Sequence, residues 1–376
     1  MAKIKTSDLK EGMKFDKPVY IDGNNLFIPP NIPIKQKDID RLLRWEISEV
    51  QTEGNRLEDV NIDIDREYYN AKDKGEKDKE INIYINLIER LEKAFTDIIE
   101  IKDSNKVFDK SRIDSIAKDI INEINRNPNE IIQFIFLGGK NINKLPMMSV
   151  NCAILSGIIG KNLKLPHFRL IQLVTGAMLH DIGMLKVPKD FLAKKEKLAE
   201  DELKTIRMHT LHSYNIVLNE VKYSEDVAKI VLYHHEKWNG TGYPKNLKEE
   251  DIPLAARIVA VADVFEALVN ERSYRSALTG YNAIKNLLSD NGTHFDPGIL
   301  KIFFKCIGIY PIGSYVRLNN GAIGKVIQIN AKAQMRPKLQ IVRDKFGNKL
   351  KEKKIIDLKE IKEKLFIVEA IKLDDL

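Results

Sequence analysis

The histidines of this chain constrain its fold more than any other residue type. Four of its seven histidines, joined by two aspartates, recur through the middle of the sequence about one helix and one loop apart. In chain order these residues are His180, Asp181, His209, His234, His235 and Asp263. Imidazoles and carboxylates in this mixture suit Fe, Mn or Zn better than Ca or Mg. The spacing predicts that several helices of an all-α bundle direct these side chains toward one interior point.

The size of this ligand set indicates two metal ions rather than one, because one of its carboxylates is able to bridge. Two metals about 3.5–4 Å apart are a recurring arrangement for the cleavage of phosphate esters. Asp263 is the most informative member, since it follows the apolar run 258–262. A carboxylate in such surroundings must be paired or metal-bound. Taken alone, His180-Asp181 also fits a helix end with a satisfied histidine, but the other ligands argue against that interpretation.

The composition is that of an ordinary globular protein. With 376 residues the chain can form two or three domains, and 43% of it is hydrophobic and 31% charged. No stretch approaches 18 consecutive apolar residues, and the first residues lack the apolar run of a signal peptide. Two cysteines exclude a disulfide framework. We therefore expect a cytoplasmic protein without a membrane segment.

The net charge of +7 suits an anionic ligand without establishing one. Nucleic-acid polymers require clustered basic residues interleaved with aromatic ones. The basic clusters at 194–197 and 349–354 also contain glutamates, which is typical of solvated surfaces. The sequence therefore predicts no nucleic-acid polymer as a partner.

Changes of hydrophobic period divide the chain into four parts and indicate a mainly α protein. A small α/β or β module occupies 1–65, a charged linker with connecting helices 66–130, a helical domain 131–310 and a small β unit 311–376. The first module contains a hairpin signal, with strands Val19–Ile21 and Asn25–Ile28 around a turn, then a short helix and a closing strand. The last part contains three β-type runs, at 315–318, 324–329 and 339–342.

The helical domain resembles the HD-GYP family of cyclic di-GMP phosphodiesterases, which belongs to the HD superfamily of metal-dependent phosphohydrolases. The resemblance runs from about residue 145 to about residue 304 and rests on His180–Gly183, His234–Pro244, Val261–Leu268 and 272–275. It implies an HD-type helical bundle. The stretch 7–13 resembles the start of the accessory domain that precedes many HD-GYP domains, which implies a regulatory or docking role.

The resemblance also implies a role for each site residue. The expected ligands of two divalent metals, Fe or Mn, are His180, bridging Asp181 and Asp263 for the first, and Asp181, His209, His234 and His235 for the second. His180 and Asp181 are thereby also the predicted catalytic residues. The predicted contacts to the cyclic dinucleotide are Gly242, Tyr243 and Pro244, with Arg272 and Arg275 for phosphate. The same Gly-Tyr-Pro surface is expected to dock diguanylate cyclase (GGDEF) domains.

Five positions depart from the family pattern. Met148 stands where a first-site histidine is expected, and a neutral thioether is a poor replacement at Fe, Mn or Zn. Lys144 replaces the glutamate that supports a third metal, and Met184 replaces a phosphate-binding lysine. Asn239 and Ser273 replace an aspartate and a proline. These changes predict a weakened first metal site and no third one.

The predicted activity is hydrolysis of cyclic di-GMP to the linear dinucleotide, with further cleavage to GMP left open. One alternative is a catalytically impaired domain that acts as a cyclic di-GMP receptor or as a scaffold for a diguanylate cyclase. Another is a general HD-type nucleotide phosphohydrolase, which the Gly-Tyr-Pro and Arg-x-Tyr-Arg segments argue against. The amphipathic helices predicted at 81–101 and 111–124 fit core packing or a homodimer contact.

Overall fold

The computed structural model of the chain contains two compact units, Met1–Gly75 and Glu76–Leu376. The structure describes residues 2–10, 13–21, 25–28, 34, 36–45, 47–57, 76–101, 108–136, 144–188, 190–191, 194, 199–270, 277–361 and 365–372. The boundaries expected at 65, 130 and 310 stay predictions.

The first unit is a small antiparallel α/β module. Its elements are β1 (Ala2–Lys5), a 3₁₀ turn (Thr6–Asp8), β2 (Lys14–Phe15), β3 (Val19–Ile21), β4 (Asn25–Ile28), α1 (Gln36–Arg44), β5 (Glu49–Thr52) and β6 (Arg56–Leu57). Four strands form a sheet in the order β1-β5-β3-β4, and β2 pairs with β6. The predicted hairpin is present, since β3 pairs antiparallel with β4. Val19, Leu42 and Val50 are fully buried, so the helix and the sheet share one core.

The second unit begins with a bundle of helices. These are α2 (Glu76–Ile101), α3 (Ser111–Arg126), α4 (Pro128–Gln133), α5 (Lys144–Asn162), α6 (His167–Leu179), α7 (Glu200–Arg207), α8 (His209–Asn215), α9 (Glu225–Tyr233), α10 (Leu254–Val269), α11 (Gly280–Ser289) and α12 (Pro297–Ile307). Short 3₁₀ segments cover Phe134–Phe136, Ile182–Lys186 and Glu249–Asp251, and a π-helical turn covers Ile216–Glu220. No helix in the described part of the chain is long and apolar enough to cross a membrane.

Helix α5 lies at the centre of this bundle. All but one of its residues from Pro146 to Gly160 are buried, the exception being the half-buried Met148. A helix that is apolar around its whole circumference must be covered on every side. Helices α6 and α10 pack against it, and α2, α3 and α12 cover it further. The amphipathic helices predicted from the periodicity at 81–101 and 111–124 are thus part of the bundle core, where Leu91 and Ile120 are fully buried.

The sequence predicts the starts of two helices, with Ser111 as one N-cap and Asp296, followed by Pro297, as the other. Asp296 caps α12 as expected, because its Oδ1 accepts hydrogen bonds from the backbone N–H groups of Gly298 and Ile299. Ser111 is the first residue of α3 and not its N-cap; its backbone N–H donates to Asp109 Oδ1 at 3.1 Å. The acceptor is therefore the earlier carboxylate, which competes well for an unpaired N–H at a helix start.

The chain ends in an antiparallel five-stranded sheet. Its strands are β7 (Tyr315–Leu318), β8 (Ile323–Gln328), β9 (Lys338–Arg343), β10 (Lys349–Asp357) and β11 (Ile367–Ile371), in the order β10-β9-β8-β7-β11. The first three strands match the predicted runs. The other two were not predicted, because β10 begins as a lysine-rich segment without apolar alternation. Lysines are common on edge strands, where they oppose pairing with another chain. The mainly α fold with small β units at both ends is confirmed.

Candidate active site

The predicted metal ligands come from four places in the bundle. His180-Asp181 follows the last residue of α6, His209 is the first residue of α8, and His234-His235 follows α9. Asp263 lies inside α10, which is apolar on either side of it. All six side chains therefore converge on one buried point, five from helix ends and one from a helix interior. The spacing along the sequence predicted this convergence.

The ligand atoms lie close enough to share metal ions. One group consists of Asp181, His209, His234 and His235, and a second consists of His180, His234 and Asp263; within each group the ligand atoms lie within 4.8 Å of one another. Asp181 faces both groups, since its Oδ1 lies 3.2 Å from Nε2 of His209 and its Oδ2 lies 3.5 Å from Nε2 of His180. Its carboxylate thus lies between His180 and His209.

Three histidines are oriented by the same hydrogen bond. Nδ1 of His180, His209 and His234 lies 2.7, 2.7 and 2.8 Å from the backbone carbonyl oxygen three residues earlier. Because a carbonyl only accepts, Nδ1 must carry the proton, and the neutral ring presents its Nε2 lone pair to the cluster. A backbone acceptor of this kind fixes both the tautomer and the ring direction of a metal-binding histidine.

Several of the converging atoms have no hydrogen-bond partner among the described residues. Asp181 Oδ1, His209 Nε2 and His234 Nε2 are buried and form no aligned hydrogen bond, although the first two lie 3.2 Å apart. Buried polar atoms without partners are costly, on the order of 1–3 kcal/mol each. Divalent cations would satisfy these atoms, and a set of imidazoles with carboxylates suits Fe, Mn or Zn. The residues present therefore fit a metal centre.

The charges of the cluster also suit metal binding. Burial lowers the pKa of His234 and, more strongly, that of His235, so both rings are neutral ligands. Burial acts in the same direction on His180, but the carboxylates of Asp181 and Asp263 outweigh it and raise the pKa of His180 to about 9. The pKa of each of the two carboxyls is lowered by neighbouring imidazoles against the effect of burial. Without metal, His180 is thus a cation between two carboxylates.

A buried polar network surrounds Glu266, which lies one turn after Asp263 on α10. Glu266 is 1% exposed, and its Oε1 accepts hydrogen bonds from Asn151 Nδ2 at 3.2 Å and Asn270 Nδ2 at 2.9 Å. Asn151 Oδ1 accepts in turn from the Tyr84 hydroxyl at 2.7 Å. The network ties α2 and α5 to α10. Sequence reasoning missed it, because no spacing relates residues so far apart along the chain.

The loop that carries Gly242-Tyr243-Pro244 packs directly on the ligands. Tyr243 stacks on the His235 ring with centroids 4.8 Å apart, and the Tyr243–Pro244 peptide is cis. Gly242 is buried, and a Cβ there would lie 2.3 Å from the backbone nitrogen of Lys237 and 2.5 Å from Glu236 Cα. Only glycine allows this approach. Tyr243 and its neighbours therefore form one wall of the site.

Glu236 holds the same loop in place, a role the sequence did not reveal. Its side chain is buried, with Oε1 2.6 Å from the backbone N–H of Lys245 and Oε2 3.1 Å from that of Leu247. Burial raises the pKa of Glu236, while these donors act in the opposite direction. The residue after the two histidines thus clamps the segment that follows Gly-Tyr-Pro.

The structure describes only some of the cations that could bind phosphate. Arg272 and Arg275, with Ser273 between them, lie outside the described residues. Lys186, the lysine nearest to the replaced position Met184, pairs with Glu220 at 3.1 Å. Arg207, which was not predicted, places its guanidinium 5.3 Å from the centroid of the Tyr243 ring. The substituted Lys144 and Asn239 are exposed, and Met148 is half-buried on α5.

The helical bundle and its buried His-Asp cluster have the arrangement expected of an HD domain. Residues 141–299 match the family described as HD domain, and residues 315–376 match the KOW domain associated with HD domain. Residues 141–299 are therefore similar to an HD domain, which confirms the HD resemblance, and residues 315–376, which include the C-terminal sheet, are similar to a KOW domain.

Several curated relatives are named as cyclic di-GMP phosphodiesterases. One from Pseudomonas aeruginosa is 34% identical over 60% of this chain and 55% of its own length. One from Borreliella burgdorferi is 26% identical over 82% of this chain and 80% of its own length. The chain thus spans little more than half of the first relative. An HDG"Y"P protein from Bdellovibrio bacteriovorus has the same fold, with a TM-score of 0.50 and 18% identity over 80% of this chain and 97% of that one.

Proposed function

We propose that this protein is an HD-GYP-type phosphodiesterase that hydrolyses cyclic di-GMP to the linear dinucleotide in a metal-dependent reaction. The observation that supports this most directly is the position of Asp181, whose two carboxylate oxygens face His209 on one side and His180 on the other. A bridging carboxylate between two imidazole groups is suited to paired divalent metals, for which we propose Fe or Mn. The names of the relatives supply the substrate class.

Different residues of the chain have different roles in the proposed reaction. Bound divalent metals supply Lewis acidity toward phosphoryl oxygens and a nucleophile at neutral pH. Asp181, Asp263 and the four histidines would hold these ions, and the backbone carbonyl bonds fix the ring directions of His180, His209 and His234. Tyr243 offers a flat ring beside His235 for a nucleobase or sugar. Burial raises the pKa of the Tyr243 hydroxyl, so it stays protonated and can donate a hydrogen bond.

The decisive experiment is hydrolysis of cyclic di-GMP by the purified protein with Mn, with Fe under reducing conditions, and after chelation. We expect metal-dependent loss of the cyclic dinucleotide. Whether the product stops at the linear dinucleotide or continues to GMP is read from the same chromatogram. If no metal supports turnover but cyclic di-GMP still binds, the phosphodiesterase proposal is wrong and the receptor or scaffold alternative replaces it.

Several partner assignments belong to the same proposal. We place the reaction in the cytoplasm, and we assign the Gly-Tyr-Pro surface a second role in docking GGDEF domains. We also propose a homodimer, in which α2 could take part only through its outer face, because its apolar face is buried in the bundle core. Co-purification with a diguanylate cyclase and sedimentation analysis of the free protein test these two contacts.

A further inference from the structure

Arg207 carries a positive charge at the edge of the candidate metal centre. It is the last residue of α7 and lies two residues before His209. Its side chain is exposed, and its guanidinium lies 5.3 Å from the centroid of the Tyr243 ring. The Tyr243 ring stacks in turn on His235, with centroids 4.8 Å apart and planes inclined by 28°. A column of three planar groups thus runs from the ligand cluster to the surface.

The charge of Arg207 is not neutralised by a carboxylate within the described ranges. Other cations close to the bundle are used structurally. Lys186 pairs with Glu220 at 3.1 Å, and Arg257 pairs with Asp296 at 2.7 Å while it stacks on Trp238. Among the described residues, the side chain of Arg207 contacts only the tyrosine ring. An exposed arginine without an acidic partner gains little for the stability of the fold, so its position needs another explanation.

The contact with Tyr243 prepares Arg207 for an anion. An aromatic face attracts a guanidinium and limits the conformations of its long side chain. Restricting a flexible side chain before binding reduces the entropy lost when the ligand arrives. The planar fork of an arginine matches phosphate oxygens in bidentate fashion, and its five N–H groups make no hydrogen bond to any described protein atom.

We propose that Arg207 binds the non-scissile phosphate of the cyclic dinucleotide. A cyclic dinucleotide has two phosphodiester groups, and only one can lie on the metals during cleavage. The second lies outside the ligand cluster, and among the described cations Arg207 is one ring beyond His235 on the wall formed by Tyr243. This inference rests on the proposed function and deepens it, because it assigns the residue that distinguishes a cyclic dinucleotide from a simple phosphodiester.

The test compares wild type with Arg207→Gln on two substrates. For cyclic di-GMP we expect KM to rise at least about tenfold while kcat changes less than about threefold. This is the result expected when a mutation removes one charged contact that is equally strong in the ground state and in the transition state. For bis(4-nitrophenyl) phosphate, which has one phosphodiester group, we expect unchanged kinetics. Arg207→Lys keeps the positive charge but lacks the planar guanidinium fork, so its KM for cyclic di-GMP should lie between the values of wild type and Arg207→Gln. Lys204→Gln, an exposed cation on the same helix whose partner is Glu200, is the matched control and should behave as wild type.

Other outcomes overturn the assignment. A KM for cyclic di-GMP within about twofold of wild type would show that Arg207 does not contact the substrate. An equal loss of activity on both substrates would mean that Arg207 acts on the metal centre through Tyr243 and His235. If wild type fails to hydrolyse cyclic di-GMP, the proposed function has failed, and the same variants are compared by equilibrium binding of cyclic di-GMP. Binding about tenfold weaker in Arg207→Gln then supports the phosphate contact, and equal binding rejects it.

Discussion

The carboxylate of Glu236 receives a hydrogen bond of 2.6 Å from the backbone N–H of Lys245, nine residues further along the chain. A second bond, from the N–H of Leu247, closes the segment into a clamped loop. Glu236 directly follows His235, and the loop it clamps contains Tyr243, which stacks on that histidine. The metal ligands and the Gly-Tyr-Pro wall are thus one structural unit.

We predict that Glu236→Gln loosens this loop. An amide can accept with only one of its two terminal groups, so one buried N–H donor loses its partner at a cost of about 1–3 kcal/mol. Urea unfolding should show this loss of stability, and KM for cyclic di-GMP should rise while metal content is unchanged. Glu249→Gln, an exposed site, is the control. Equal stability of Glu236→Gln and wild type would show that the clamp is not needed.

Asp181→Asn should remove metal binding and turnover together. The substitution removes the charge of the carboxylate that faces both His180 and His209. We expect metal content after dialysis to fall by at least one ion per chain and kcat to drop roughly a thousandfold. Elemental analysis and the hydrolysis assay measure the two effects on the same sample. Asp226→Asn, at an exposed carboxylate paired with Arg169, should leave both values unchanged. Turnover retained in Asp181→Asn would contradict the mechanism.

Metal binding at the first site should strengthen as pH rises. Against the effect of burial, Asp181 and Asp263 raise the pKa of His180 to about 9 in the metal-free protein, so a metal must displace a proton from this ring at neutral pH. Below that pKa the apparent affinity should increase about tenfold per pH unit and then level off. Titration of chelated protein with Mn from about pH 6.5 to about pH 8.5 measures the slope. A flat profile would show that His180 is already neutral.

The metal-free fold should show the opposite pH trend. A histidine whose pKa is raised on folding adds stability that is complete below its unfolded value of about 6.5 and is lost as pH rises through about 9. The melting temperature of chelated protein should therefore fall across this window, whereas saturating metal should abolish the trend. A melting temperature of chelated protein that rises with pH would contradict the predicted cationic state of His180.

Met148→His tests the weakened first site. The side chain of Met148 is half-buried on α5. This helix packs against α6, which ends just before His180, and against α10, which contains Asp263. A neutral imidazole there should strengthen metal retention by at least about tenfold, the low end of what supporting residues contribute at metal sites. Competition with a chelator measures the change, and Met335→His, at an exposed position, is the control. No change in Met148→His would show that the family position lies elsewhere on this helix.

Much of the fold was predictable because its signals are local. Apolar spacing located α2 and α3, and turn residues located the hairpin of the first unit. The failures have physical causes as well. Strand β10 begins with lysines because it is a sheet edge, where solvent and not the core determines the side chains. Ser111 was expected to cap α3, but the carboxylate of Asp109 is the acceptor.

The sequence alone determined which six side chains form the candidate metal-ligand set and which class of domain the chain resembles. Six side chains at intervals of one helix and one loop can converge only in a helical bundle, and an aspartate within an apolar helix requires a charged partner. Only the tertiary structure decided how the site is completed. The contacts that complete it join distant segments: Asp181 faces both His180 and His209, Glu236 clamps the loop, and Arg207 stacks on Tyr243. Their geometry depends on how the helices pack, and no local pattern encodes it.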